Sequence, residues 1–443
     1  MKNKRLLVAT CVGLAIVCIA FICQSDDANG IDNVKPSQRT IDLNRGSLGA
    51  ETWLEVEKNE TVKICMDSKV RTWETSLDTE ILNDSCLKIQ VPTLIGVNTI
   101  NVKFYDSDSS HKINLAIGMK YLDFKNEKVL LGFDKVLLLE PEYYEIIDPV
   151  KNVSVTGTYL VDKYPVTNCE ITQLLWDNIP LDSDDNRYEK AWAQRKKKAV
   201  HNKKCNTQDS ATNTIFLYQA LMYANARSLR EKLKPYYIFS ETIDQYIRIH
   251  SEGQYIIGFH DFIKHKNKTI YVNVDSASDG YRLPYYDDWM MFARGGDKTN
   301  NAPWGNSASY EEVLKHAIFD KHNENYVEKD PHESELVGQL KPNKYGLYDV
   351  LGLVEEHVLF ERPGRFKRSP EVKYKIKRLP SNKSICKNNC PSCLKGGRKD
   401  DDWNRINYGF YRLNDCGFAR AGFRLIRNIG NNAKWNDVKS DKE

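Results

Sequence analysis

Past residue 23 the sequence contains no apolar run long enough to cross a bilayer, which takes about 20 consecutive apolar residues. A bundle of membrane helices is therefore excluded. Charge of one sign is also missing: 64 Lys and Arg stand against 60 Asp and Glu, a net charge of +4. No chain-wide basic field exists to gather nucleic acid, so no nucleic-acid partner is expected. The one basic run, "RKKKAVHNKK" at 195–204, has no aromatics between its charges and reads as a solvated loop. No segment repeats at solenoid length, which removes the repeat architectures.

What is present points to an exported, aromatic-rich globular protein. The 443 residues are 41% hydrophobic and include 24 Tyr and 8 Trp, and that length predicts two folded units behind a leader. Residues 1–23 place Lys2, Lys4 and Arg5 ahead of an apolar stretch from Leu6 to Cys23, the pattern of a signal peptide or membrane anchor. Cys23 is the candidate lipidation site of a lipoprotein, although the "AFIC" before it lacks the small residues such a site prefers. The expected location is the cell envelope, membrane-attached through a lipid or N-terminal anchor, with free secretion as the alternative. A polar linker follows at 24–34.

Cysteine usage fits an oxidising compartment. Outside the leader there are two cysteines in the first unit, Cys65 and Cys86, and six in the second: Cys169, Cys205, Cys386, Cys390, Cys393 and Cys416. Both sets are even, which predicts one disulfide in the first unit and up to three in the second. Cys65 with Cys86 and Cys169 with Cys205 are the expected staples. The cluster "CKNNCPSC" invites a zinc reading with Cys416 as fourth ligand; in an exported chain, disulfides take precedence.

Residues 35–116 carry short alternating runs, "TVKICM", "CLKIQV" and "NTINVKFYD", separated by Asn, Asp, Ser and Gly. This predicts an Ig-like β-sandwich acting as a spacer or interaction module. Residues 117–428 form the second unit and 429–443 a polar tail. In that unit "VSVTGTYLVDKYPVTNCEITQL" predicts a strand and then a helix capped by Thr167 or Asn168. Apolar residues at 217, 221 and 224 predict a second helix, closed by Pro235. In "YRLPYYDDW", Asp287 is the expected cap, Trp289 and Phe292 face the core, and Arg282 is expected as an inward guanidinium bracing loops through its fork of donors.

Seven motifs then occur in a fixed order: "YLVDKYPVTN", "ALMYANARS", "YRLPYYDDWMMFARGG", "PWGN", "VGQLKPNKYGLYDVLGLVEEHV", "KGG" and "GFRLIR". In this the chain resembles the formylglycine-generating, sulfatase-modifying enzyme superfamily. The resemblance implies a C-type-lectin-like α+β fold with a small twisted sheet and two helices. It also implies a pair of cysteines shortly after the glycine motif that holds copper as thiolates, soft ligands suited to Cu(I). Here "KGG" is followed by Arg398, Lys399, Asp400, Asp401 and Asp402, with no thiol before Cys416. Copper is therefore not expected, and neither is the family's oxidase activity. The family's calcium sites are weakened too: Leu353 stands where an oxygen donor is usual, leaving Asp320 and Glu356 as candidate ligands. The iron-dependent branch is disfavoured because no H-x-x-x-H-x-E pattern is present.

The remaining candidates are a binding groove of Arg282, Trp304, Asp400, Asp402 and Trp403, in which carboxylates beside aromatics suit a glycan. For altered chemistry in the same groove the first residues to consider are Glu356, His357, Asp401 and Arg424. The leading expectation is a non-catalytic binding or assembly module whose partner is an envelope protein or a glycan.

Overall fold

A computed structural model describes residues 38–49, 51–107, 110–131, 151–171, 173–174, 210–213, 215, 217–240, 256–258, 271–275, 277–295, 310–319, 336–359, 392–396 and 421–437. The first unit contains β1 (Gln38–Leu43), β2 (Glu51–Val56), β3 (Thr61–Met66), β4 (Val70–Glu74), β5 (Thr79–Asn83), β6 (Cys86–Gln90), β7 (Gly96–Phe104) and β8 (Ser110–Ile117). They form two four-stranded sheets, β1-β3-β6-β5 and β2-β8-β7-β4. Pairing is antiparallel except at one edge of each sheet, where β1 runs parallel to β3 and β2 to β8. The period-two alternation of "TVKICM" sends Val62 and Ile64 inward, where they meet Leu87, Ile89, Ile100, Val102, Phe104 and Leu115 in a closed core.

The same alternation explains the staple. Cys65 and Cys86 sit directly opposite one another on β3 and β6 and form the expected disulfide, closing a separation of 21 residues. By loop closure such a bridge stabilises by roughly 3 kcal/mol.

Gly118, at φ +65, turns the chain directly into the second unit. Strand β9 (Met119–Leu131) pairs with β10 (Lys151–Asp162), and β10 pairs on its other edge with β16 (Ile426–Asp437). The strand thus continues to Asp437, and the polar tail expected from 429 does not begin there. Trp435 and Lys434 are laddered to Val155 and Thr156, and backbone pairing decides the matter where side-chain polarity did not. Two smaller sheets complete the α+β unit: β11 (Tyr237–Ser240), β13 (Tyr271–Val274) and β12 (Ile256–Gly258) in one, β14 (Glu356–Leu359) and β15 (Ser392–Lys395) in the other.

Helices α1 (Asn168–Ile171), α2 (Leu217–Arg230), α3 (Tyr286–Arg294) and α4 (Tyr310–Val313) are placed by local rules. Thr167 caps α1, since its Oγ1 accepts from the Glu170 amide at 3.3 Å while Glu170 Oε2 accepts from the Thr167 amide at 3.0 Å. This is a reciprocal capping box. In α2, Leu217, Leu221 and Ala224 face the core as their spacing requires. For α3 the cap differs from expectation: the helix begins at Tyr286, so the third helical position is Asp288, and it is Asp288 that accepts the Tyr285 amide at 3.0 Å. The helix ends on Gly295, which lies in the left-handed region and whose amide donates to the Phe292 carbonyl, and Asn343 Nδ2 donates to the carbonyls of Phe292 and Ala293.

Candidate functional site

The four residues of β14 are all buried, and its alternation splits the candidate pair. Glu356 and Val358 face the core that contains α3, and His357 and Leu359 face the core that contains α2. Glu356 is fully enclosed. Its Oε2 accepts from Trp289 Nε1 at 2.8 Å, and Arg424 grips both oxygens, with Nε at 2.8 and 2.9 Å and Nη2 at 2.6 Å. The same guanidinium donates to the carbonyls of Tyr348 and Asp349, at 2.9 and 3.3 Å, and to that of Asp162 at 3.3 Å. Arg424 thus ties two other segments, at residues 348–349 and at Asp162, to one carboxylate, the geometry for which a planar fork of donors is suited.

His357 lies on the other face. Its Nε2 donates to the Ile215 carbonyl at 2.8 Å, which fixes the tautomer, and Nδ1 has no hydrogen-bond partner among the described residues. Burial drives its pKa down to about 4, against the opposing pull of the Ile215 carbonyl. The ring is therefore neutral in the folded protein at pH 7, and an acid-base couple between Glu356 and His357 is not assembled.

A second buried pair lies behind the first. Arg227 Nη1 meets both oxygens of Asp162 at 2.8 and 3.0 Å, its guanidinium stacks 3.9 Å from the Tyr281 ring, and its Nη2 points at Met119 Sδ. Asp162 Oδ2 also accepts the Leu425 amide at 2.9 Å. Sequence reading singled out neither Asp162 nor Arg227, although both lie inside quoted motifs. An aspartate closing a buried strand and an arginine on the apolar face of a helix were the available signals.

Arg282, expected as an inward brace and also counted with the binding groove, is buried. It pairs with Asp288 of α3 at 2.7 Å and donates to Asn428 Oδ1 at 3.1 Å, because "YRLP" and the helix that follows it both lie in the core. Asp349 holds the loop of residues 338–349 by accepting the Gly338 amide at 2.7 Å. Burial pushes its carboxyl up to about 6, against the Gly338 amide and Arg424.

With this geometry in place, residues 119–429 match the sulfatase-modifying factor enzyme 1-like domain. The chain belongs to this family. The chaperone protein LppX of Paenibacillus barcinonensis is similar, 27% identical over 216 residues that make up 46% of this chain and 63% of the relative. The chain thus spans less than two thirds of that relative's length. Among solved structures, Treponema denticola variable protein 1 is similar at 17% identity and TM-score 0.42, with 75% of this chain and 99% of that chain covered. PvdO from Pseudomonas aeruginosa is similar at 15% identity and TM-score 0.40, with 70% and 94% covered.

Within the sulfatase-modifying family domain, the stretch expected to bear a calcium ligand is filled by apolar packing. Leu353, at φ 56, packs with Ala211, Val337 and Val354, and its amide donates to the Ile318 carbonyl at 2.8 Å. The Glu356 oxygens are engaged by Arg424 and Trp289, so neither residue offers an open donor to a hard cation. Of the thiols, Cys169 is buried and disulfide-bonded, which removes it as a reactive nucleophile. Cys393 lies on β15, where its backbone pairs with Val358. Cys23, Cys205, Trp304, Asp320, Cys386, Cys390, Asp400, Asp401, Asp402, Trp403 and Cys416 lie outside the described residues.

The buried imidazole has a measurable consequence. Because the folded pKa is lowered from 6.5 to about 4, the unfolded chain binds a proton first as the pH falls, and stability drops between those limits. Full loss amounts to about 3 kcal/mol at 1.36 kcal/mol per unit. Asp349 acts with the opposite sign below pH 6, since its folded carboxyl protonates before the unfolded one. The comparison of wild type with His357→Gln isolates the histidine: urea midpoints measured from pH 7 to 4 should fall less steeply in the variant. Parallel curves would contradict the assignment.

Proposed function

We propose that this is an exported cell-envelope protein whose sulfatase-modifying-type domain works without catalysis, as a binding or assembly module. The observation that carries this reading is the fate of the groove's chemical residues. The carboxylate and guanidinium proposed for altered chemistry, Glu356 and Arg424, are spent on each other in the core. His357 is spent on a backbone carbonyl. The positions after the glycine motif carry Arg398, Lys399 and Asp400 to Asp402 in place of two thiols, and carboxylates do not supply the soft donors that Cu(I) demands. The name of the Paenibacillus relative, a chaperone protein, is in keeping with an assembly role. The partner would be an envelope protein or glycan, and attachment at Cys23 or through the leader would hold the module at the membrane.

The test is made on the purified exported chain. It should contain no thiol-bound copper and should leave the cysteine of a sulfatase-type peptide unoxidised when copper and oxygen are supplied, with peptide mass as the readout. Formation of an aldehyde product, or copper retained through free thiols, would overturn the proposal.

A further inference from the structure

The β-sandwich is seated on the second domain through β2, the turn between β2 and β3, and the start of β7. Ile95 and Ala116, both from the sandwich, belong to the same buried cluster as Met119, Leu160, Ile215, Tyr223 and Phe423 of the second domain. Trp53 stacks on Tyr121 with ring centroids 5.4 Å apart and planes 17° from parallel. Glu55 accepts from the Tyr121 amide at 2.9 Å and from Lys120, Glu57 pairs with Lys163, and Arg230 at the end of α2 donates to the Ile95 carbonyl. Gly96 approaches α2 so closely that a Cβ there would lie 2.5 Å from Glu231 Oε1.

One contact differs in kind from these. Lys58 Nζ lies 3.1 Å from Glu170 Oε1, and the two side chains are 3% and 2% exposed. Glu170 is the carboxylate of the α1 capping box, and its other oxygen holds the Thr167 amide. Burial alone would raise its pKa, but Lys58, the Thr167 amide and Arg227 outweigh burial and hold it below the ordinary value. A second domain lacking the sandwich would leave this carboxylate without its ammonium partner and open one side of its core. We infer that the sandwich completes the fold of the second domain, so that the two unfold as one cooperative unit tied by the Lys58 to Glu170 pair.

The test uses the full chain and hydrogen exchange at two sets of amides, Val62 to Ile64 in β3 and Tyr159 to Val161 in β10. In the wild type both sets should report the same opening constant. Lys58→Met leaves a buried charge uncompensated, and the expected result is opening faster by about a hundredfold or more at both sets alike. Adding Glu170→Gln should recover part of that loss. Should Lys58→Met fail to fold, Trp53→Leu removes the stack instead, with about a tenfold acceleration expected, again equal at the two sets. Unequal opening constants in the wild type, or acceleration confined to one set, would overturn the inference. A role for Lys58 that is local to α1 predicts acceleration at β10 with β3 unmoved.

Discussion

Arg424→Met should lower the stability of the folded chain by about 3–5 kcal/mol, the cost of leaving a buried carboxylate without its partner. Glu356 is fully buried, and after the substitution Trp289 Nε1 is the remaining donor seen to reach it. The variant also strips donors from the carbonyls of Tyr348, Asp349 and Asp162, so the loss extends to the loop of residues 338–349 and to the end of β10. Adding Glu356→Gln to Arg424→Met should restore a measurable fraction, because it removes the stranded charge. Urea midpoints of the wild type, the two single variants and the double variant provide the cycle. A loss below about 1 kcal/mol for Arg424→Met would mean that the pair is hydrated and the site open, and the reading of this network as structural would fail with it.

Gly352→Ala should cost about 3 kcal/mol. Gly352 has φ +73, where an L side chain costs roughly 1–2 kcal/mol. The added Cβ would lie 2.2 Å from the Ile318 carbonyl oxygen, which is backbone and is itself the acceptor for the Leu353 amide. Moving that carbonyl leaves a buried donor unpaired, at about 1–3 kcal/mol more. Thermal unfolding of the variant measures the sum. An unchanged midpoint would show that the segment of residues 318–319 yields freely, contrary to its pairing with Gly352 and Leu353. Leu353, also at positive φ and buried, shows the same strain accepted by a side chain that gains apolar contacts with Val337 and Val354.

The fold was legible in the sequence wherever a local rule decides the backbone. The alternation of "TVKICM" and "CLKIQV" set Val62, Ile64, Leu87 and Ile89 inward and brought Cys65 opposite Cys86. The spacing of Leu217, Leu221 and Ala224 gave α2 its buried face. Local rules were less exact at ends. At α3 the helix starts at Tyr286, earlier than a cap at Asp287 implies, so Asp288 becomes the third helical residue and accepts the Tyr285 amide, and the last strand runs on to Asp437 through polar residues because its partner is β10.

The candidate site was legible as a list of residues and not as an arrangement. Glu356 and His357 are adjacent in sequence, which made them look like a couple, and a strand puts neighbours on opposite faces. Arg282 was legible both as an inward brace and as a groove residue, and Arg424 only as a groove residue, because a charged side chain is rarely buried without a partner. Their partners, Asp288 and Glu356, are chosen by how α3, β14 and the end of the chain pack together.

By itself, then, the sequence determined the alternating strands of the sandwich and their disulfide, the family of residues 119–429, and the absence of a thiol pair after the glycine motif. Each of these is set by residue type and near-neighbour spacing. The tertiary structure alone decided that Glu356 belongs to Arg424, that Asp162 belongs to Arg227 and that Lys58 reaches Glu170 across the seam of two units. Those pairs join residues separated by 68, 65 and 112 positions, and burying a charge is tolerable only where another part of the chain arrives to neutralise it.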